Sequence, residues 1–322
     1  MKKFTIGFIG TLCAVFLMAG PVSAAQLLVP VGQVIGLELK ENRVIVDGFD
    51  NRFGGIAQAA GMKPGDQILS IDSREIHNAE DVRKALEVSD GDVDLVVLRE
   101  GTLKTMELEP AITEDGPKLG IFLRQGITGV GTVTYYDPES GEFGALGHGV
   151  NDKSGALVAM TEGFAYSATV DAIKKGKAGD PGQLMGSVTD RNPIAPLSKN
   201  TVQGVFGKGA VPFQGDALPT AAVCEIKNGP AIIRSTVQGE HAQEYSVEIL
   251  KIYPNSGNDG RNLLLKVTDE RLLDTTGGIV QGMSGSPIIQ DGKLIGAVTH
   301  VLVNDPTTGY GIFIENMLEA AE

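Results

Sequence analysis

The chain has 322 residues, 42% hydrophobic and 5% aromatic content with no Trp, 43 glycines and a formal net charge of −13. That length accommodates two domains, and a glycine-rich, aromatic-poor composition favours a turn-rich, mainly β protein over a helical bundle. The negative charge argues against nucleic acid or an anionic membrane surface as the main partner, because both would repel it.

The N-terminus opens Met1-Lys2-Lys3, runs apolar from Phe4 to Ala19 and then reads Gly20-Pro21-Val22-Ser23-Ala24-Ala25. A basic start, an apolar stretch slightly short for a membrane span and small residues at its end predict a signal peptide over residues 1–25. Cleavage after Ala24 is expected, with retention as an anchor through residues 4–20 as the alternative. Cys13 reads as apolar filler within this stretch. Cys224 is then the single cysteine of the exported chain, so no internal disulfide can form, and it is expected to be a buried small apolar residue.

From residue 26 to 112 the pattern mixes strands with short helices. Val44-Ile45-Val46 is a strand ending at Asp47-Gly48, residues 56 to 60 form a helical turn, and Gln67 to Ile71 is a strand after the turn Lys63-Pro64-Gly65-Asp66. Val82, Ala85 and Leu86 recur at helical spacing over 79–88, and strands over 92–98 and 105–108 close the unit. The run from Ala59 to Asp72, with small residues, Gly61-Met62-Lys63-Pro64-Gly65-Asp66 and an apolar strand, resembles PDZ domains. By that resemblance Gly32-Gln33-Val34-Ile35-Gly36-Leu37 stands where the family has its carboxylate-binding loop, whose amides would hold a peptide C-terminus as the peptide adds to the sheet edge. His77 reads as a surface loop residue.

Residues 113–322 change texture to short strands with glycines, expected over 120–123, 129–136, 141–148, 157–160 and 167–173, with a helix only at 316–321. This pattern argues for a barrel or sandwich. Near its end stands Gly282-Met283-Ser284-Gly285-Ser286-Pro287, followed by apolar runs on either side of Asp291-Gly292. Glycines allow the tight bend that presents a hydroxyl beside free amides, and Asp-Gly predicts a type I′ hairpin that anchors it. The segment resembles the nucleophile bend of chymotrypsin-like serine proteases, which implies a double β-barrel. Ser284 is the favoured nucleophile; Ser286 is the rival, held extended by Pro287. The base must come from four histidines. His148, between Gly147 and Gly149 and upstream of the serine, ranks first, His300 at a strand end ranks second, and His241 lies in a polar turn. Composition cannot choose the orienting carboxylate; Asp269 ends an apolar strand, and Asp274 follows in a more polar setting.

The order of signal segment, PDZ-like region, Gly147-His148-Gly149, Val267-Thr268-Asp269-Glu270-Arg271-Leu272-Leu273 and Thr276 to Pro287 closely resembles the stage IV sporulation protein B peptidases of endospore formers. Heat-shock proteases place their PDZ domains after the protease, whereas here the PDZ-like region comes first. The resemblance implies a catalytic set of His148, Asp269 and Ser284. Ser284 would attack the scissile carbonyl, His148 would take and return the proton, and Asp269 would orient the imidazole. The amides of Gly282 and Ser284 would form the oxyanion hole. The resemblance further implies secretion from the forespore into the space between two membranes, self-cleavage, and cleavage of a membrane-bound regulator of an intramembrane protease, permitting maturation of a late sigma factor. No metal or cofactor is called for. The alternative is a catalytically inactive PDZ scaffold of the cell envelope.

Overall fold

The computed structural model describes residues 25–153, 155–209, 213–255 and 260–322. Residues 1–24 of the expected signal segment, with Cys13, lie outside the described residues. Two six-stranded β-barrels carry a smaller α/β unit inserted into the first of them.

In the first barrel the strands Glu142–Ala145, Gly204–Lys208, Ala195–Thr201, Glu162–Lys174, Val34–Lys40 and Ile127–Tyr136 pair in that order, and the last pairs back onto the first. Period-two alternation decides which way Val34–Lys40 faces. Ile35, Leu37 and Leu39 enter the barrel with Val133, Phe143, Ala145 and Leu197, while Val34 faces the core of the second barrel. That second barrel closes through Gly229–Ser235, Gln243–Ile252, Leu263–Val267, Asp305–Phe313, Lys293–Leu302 and Pro287–Gln290. Ile233, Val247, Leu265, Ile288 and Val298 are among the residues that fill it. The expected type I′ hairpin is present, with φ of 49° at Asp291 and 75° at Gly292. The C-terminal helix Ile314–Ala321 lays Ile314 and Met317 against Leu294, Ala297 and Ile312.

The inserted unit has its own core, built by Val44, Val46, Ile68, Ile71, Val82, Leu86, Leu95 and Val97 among others. Its helix Ala79–Glu87 is capped by Asn78, whose side chain accepts from the Asp81 amide, and it buries Val82, Ala85 and Leu86 as their spacing predicts. Asp66 of the Gly65-Asp66 turn is buried and accepts from Arg99 Nε at 2.6 Å, Arg99 Nη2 at 2.7 Å and the Lys63 amide at 2.8 Å.

Three expectations change. The PDZ-like unit is not residues 26–112: Leu27–Pro30 and Val34–Lys40 are strands of the first barrel's sheet, and the inserted unit runs on to the strand Ile121–Arg124. The two ends of the insertion meet where Leu39 pairs with Ile127. Residues 157–160 form no strand; Leu157 makes an isolated bridge to Asn151. Cys224, expected to be buried, is exposed in the short 3-10 turn Val223–Glu225, which is tied down by Glu225 accepting from the Ala222 amide.

Candidate active site

Backbone hydrogen bonds shape the serine bend. Met283 N–H donates to Val280 O, Gly285 N–H to Val298 O and Ser286 N–H to Met283 O. Gly282 and Gly285 take φ of 99° and 97°, where a side chain is strained. A Cβ on Gly285 would also lie 2.0 Å from the Thr132 carbonyl oxygen, so this position needs glycine twice over. Among the described residues, the amides of Gly282 and Ser284 donate to no acceptor. The carbonyls that share their peptide planes are nevertheless pinned. Gln281 O accepts from Leu184 N–H, and Met283 O accepts from both Ser286 N–H and Ser286 Oγ. Because a peptide group is planar, fixing the carbonyl fixes the amide at its other end. Fixed, unengaged amides beside a serine hydroxyl are the donors an oxyanion hole requires. Ser286 itself is buried, with Oγ 2.7 Å from Met283 O and 2.9 Å from Ser235 Oγ, and it does not line the cleft that Ser284 lines.

The histidine arrives differently from the expected straight strand over 141–148. The strand ends at Ala145, and Leu146 and Gly147 take φ of 70° and 68°, swinging His148 out of the barrel. Its Nδ1 lies 2.9 Å from Gly149 O. A carbonyl can only accept, so Nδ1 carries the proton and Nε2 keeps its lone pair, which is the tautomer a general base requires. Burial pushes the His148 pKa below its ordinary value, against the opposing effect of the Gly149 carbonyl.

Thr132, buried in the strand Ile127–Tyr136, ties the serine and histidine segments together. Its N–H donates to Ser284 O, its Oγ1 to Gly282 O at 2.8 Å, and its carbonyl accepts from Leu146 N–H. Between the barrels lies a cleft of about 540 Å³ that Ser284, His148 and His300 all line. Its walls are mostly aliphatic, with Leu37, Leu39, Ile127 and Val130 on one side and Ile279, Val280, Val301 and Val303 on the other, and Asn151, Gln281 and Thr299 adding polar groups. The imidazoles of His148 and His300 have centroids 5.3 Å apart. His300, second choice as base from sequence, thus belongs to the site, beside the first choice.

Asp269 does not join them. It caps the helix Glu270–Thr276, accepting from the Arg271 and Leu272 amides, from the Arg271 guanidinium at 2.8 Å and from Ser246 N–H. The Arg271 guanidinium foremost, with these amides, holds its carboxyl below the usual range despite partial burial. A carboxylate at the end of an apolar strand is here a helix cap, and it lines no part of the cleft.

The predicted peptide loop is also displaced. Gly36 and Leu37 pair with Val130 and Gly129 on one side and with Tyr166 and Ala165 on the other, inside the first barrel. In the inserted unit a groove of about 490 Å³ instead runs between the helix Ala79–Glu87 and the edge strand Ile121–Arg124, lined by Val82, Arg83, Leu86, Lys118, Gly120 and Phe122 among others. The amides of Leu119 and Gly120, just before that strand, have no acceptor among the described residues. The pattern Lys118-Leu119-Gly120-Ile121 could have been read as this loop from sequence, but the apolar run at 34–37 competes with it.

A neutral histidine and a serine carried by opposite barrels line one cleft, with fixed amides next to the serine, which is the kind of arrangement chymotrypsin-like serine peptidases use for acyl transfer. Comparison with known proteins agrees. The SpoIVB peptidase S55 family matches residues 115–318 and the PDZ domain family matches residues 54–99. The chain belongs to the SpoIVB peptidase S55 family, and it carries a PDZ domain. A Rhizobium meliloti (strain 1021) protein that carries the name of a zinc metalloprotease is 26% identical over 206 residues, covering 62% of this chain and 50% of that protein. An Agrobacterium fabrum protein with a similar name is 33% identical over 93 residues, covering 29% and 24%. The chain thus spans half or less of the length of these relatives. Among solved structures, the PDZ domain of an SdrC-like protein from Listeria monocytogenes is 19% identical, covering 26% of this chain and 87% of that one at a TM-score of 0.22. An inactive form of the M. tuberculosis Rv3671c protease, the Ser343Ala mutant, is 16% identical, covering 61% and 82% at a TM-score of 0.32. Among the described residues no group of three or more His, Cys, Asp or Glu could hold a metal, and no helix is long and apolar enough to cross a membrane.

Proposed function

We propose that this peptidase is a sporulation signalling protease, exported across the cytoplasmic membrane into the space between forespore and mother cell. There it cleaves itself and a membrane-bound regulator of an intramembrane protease, and so permits maturation of the late sigma factor sigma-K. Membership of the S55 family carries the reading, supported by the basic and apolar N-terminal segment, which is either cleaved or kept as an anchor. The partner at the PDZ groove is a peptide C-terminus, taken up between the helix Ala79–Glu87 and the edge strand Ile121–Arg124 by β-addition.

Ser284 attacks the scissile carbonyl, His148 Nε2 accepts its proton, and the Gly282 and Ser284 amides receive the oxyanion. His148 then delivers the proton to the leaving amine, and water repeats the sequence to release the acyl group. The full-length protein is tested with a fluorophosphonate and for self-cleavage: wild type labels and clips, and Ser284→Ala does neither. In the organism that carries it, a Ser284→Ala allele replacing the natural one blocks late mother-cell transcription. Normal transcription with that allele would overturn the signalling role and leave the peptidase assignment standing.

A further inference from the structure

We propose that Asn200 positions the histidine base, acting through the peptide group between Gly149 and Val150. The inference rests on the peptidase reading of His148 and Ser284. The Val150 N–H donates to Asn200 Oδ1 at 2.9 Å, and Gly149 O accepts from His148 Nδ1–H at 2.9 Å. That N–H and that carbonyl are the two ends of one planar peptide unit. The chain of contacts is therefore Asn200 Oδ1, the Val150 amide, the Gly149 carbonyl and the His148 ring. Rotating the plane to break one contact breaks the other. Hydrogen bonding at the N–H end also polarises the carbonyl and strengthens it as an acceptor.

The rest of the Asn200 side chain is committed to the same segment. Its Nδ2 donates to Val150 O at 2.9 Å and to Val158 O at 3.0 Å, so both polar groups of Val150 are held by one amide. Asn200 stands on the barrel strand Ala195–Thr201, where it pairs with Val205, and so the clamp has a rigid base. The neighbouring Thr201 carbonyl lies 2.6 Å from where a Cβ on Gly149 would be, which presses the Gly149 peptide against the strand and explains the glycine after the histidine. The Gly149 carbonyl is the group that sets the His148 tautomer in this structure. In the triad logic the third member holds the ring and its tautomer. The Asn200 side chain adds a hold on the same ring at one remove, by way of the backbone.

The test uses full-length protein with 15N-labelled histidine, in wild type, Asn200→Ala and Asn200→Asp. Asn200→Asp keeps an acceptor for the Val150 amide but sets a carboxylate oxygen against the Val150 and Val158 carbonyls, so the melting temperature of both variants is measured to separate a folding defect from a positioning effect. In long-range 1H–15N spectra, wild-type His148 carries its proton on Nδ1, and Asn200→Ala moves it to a mixture of tautomers. Fluorophosphonate labelling of Ser284 slows by about 100-fold in Asn200→Ala, the low end of what a positioned base contributes. The midpoint of its pH profile falls in Asn200→Ala and rises in Asn200→Asp, whose carboxylate favours the imidazolium. His300 is the other titratable group facing His148 among the described cleft residues, and it is unchanged in both variants. A His148 that stays wholly Nδ1-protonated in Asn200→Ala, or two variants that label at the wild-type midpoint, would overturn the proposal. A wild type that fails to label while its tautomer still responds to Asn200 would overturn the peptidase reading instead.

Discussion

Ser284 Oγ donates to the Thr299 carbonyl at 2.7 Å. Thr299 falls at a register shift between the pairs Val298 with Gly311 and His300 with Tyr310, so its carbonyl is turned from the ladder toward the serine. An extended substrate laid along this strand edge has a backbone N–H to offer the same acceptor. It would displace the serine hydroxyl and leave it to His148. A peptidyl phosphonate is therefore expected to show a higher limiting rate of inactivation than a small fluorophosphonate, and not only tighter binding. Saturation kinetics check this; equal limiting rates would show that the Thr299 contact does not restrain the serine.

Burial depresses the His148 pKa, so the imidazole is neutral, and competent as a base, at pH values where an exposed histidine is already protonated. Labelling of Ser284 should be flat through neutral pH and fall only as pH drops through this depressed value. The stability contribution has the same sign. The unfolded chain takes up the proton first, so stability is full above the ordinary histidine pKa and declines as pH falls through and below it. Paired measurements of labelling rate and melting temperature from pH 8 downward check both.

Asp269→Ala is expected to lose activity by losing structure. Removing the cap of the helix Glu270–Thr276 costs about 1 to 2 kcal/mol, and the Ser246 amide and Arg271 lose their partner as well. Asn at this position can cap the helix too, so Asp269→Asn should label at close to the wild-type rate with a modest fall in melting temperature. A rate loss of 1000-fold or more in a well-folded Asp269→Asn would restore the carboxylate to the catalytic set.

The serine bend was legible in the sequence because its demands are local: glycines at the two positive-φ positions, a proline, and a hairpin fixed by Asp291-Gly292. The approach of His148 to the cleft that Ser284 lines was legible from its glycine flanks. The place of Asp269 was not legible because a strand end followed by a short helix suits a cap as well as an orienting acid, and only tertiary contacts separate the two. Val34–Lys40 misled because a buried barrel strand and a PDZ loop share the same apolar, glycine-bearing pattern. Only pairing with Ile127–Tyr136, about 90 residues away in sequence, decides between them. Thr132 and Asn200 carry no sequence signal, since a Thr or Asn on a strand acquires its role from whichever loop packs beside it.

The proposed peptide groove beside the helix Ala79–Glu87 gives two contrasting substitutions. Gly120 has φ of 69°, and a Cβ there would lie 2.4 Å from the Phe53 backbone, so Gly120→Ala displaces the loop that carries the free amides. It should weaken binding of peptides ending in an apolar residue by at least 10-fold, as read by fluorescence anisotropy on the full chain. A Cβ on Gly36 meets the end of the Val188 side chain, which can move, and Gly36→Ala should leave peptide affinity unchanged. The reverse pattern would return the loop to residues 32–37.

Ser286→Ala separates nucleophile from support. Ser286 Oγ is one of two donors to Met283 O, the carbonyl whose peptide plane carries the Ser284 amide. Its loss leaves the Ser286 N–H to hold that plane alone and takes a partner from the buried Ser235 hydroxyl. Leaving a buried polar group unsatisfied costs about 1 to 3 kcal/mol of stability. The oxyanion amide would retain its place but lose rigidity, so acylation should slow by about 10-fold, well short of the 100-fold or more that follows deletion of an oxyanion donor. The label should still map to Ser284 by peptide mass. A Ser286→Ala protein that fails to label at all, beside a Ser284→Ala protein that does, would reverse the assignment of nucleophile and support.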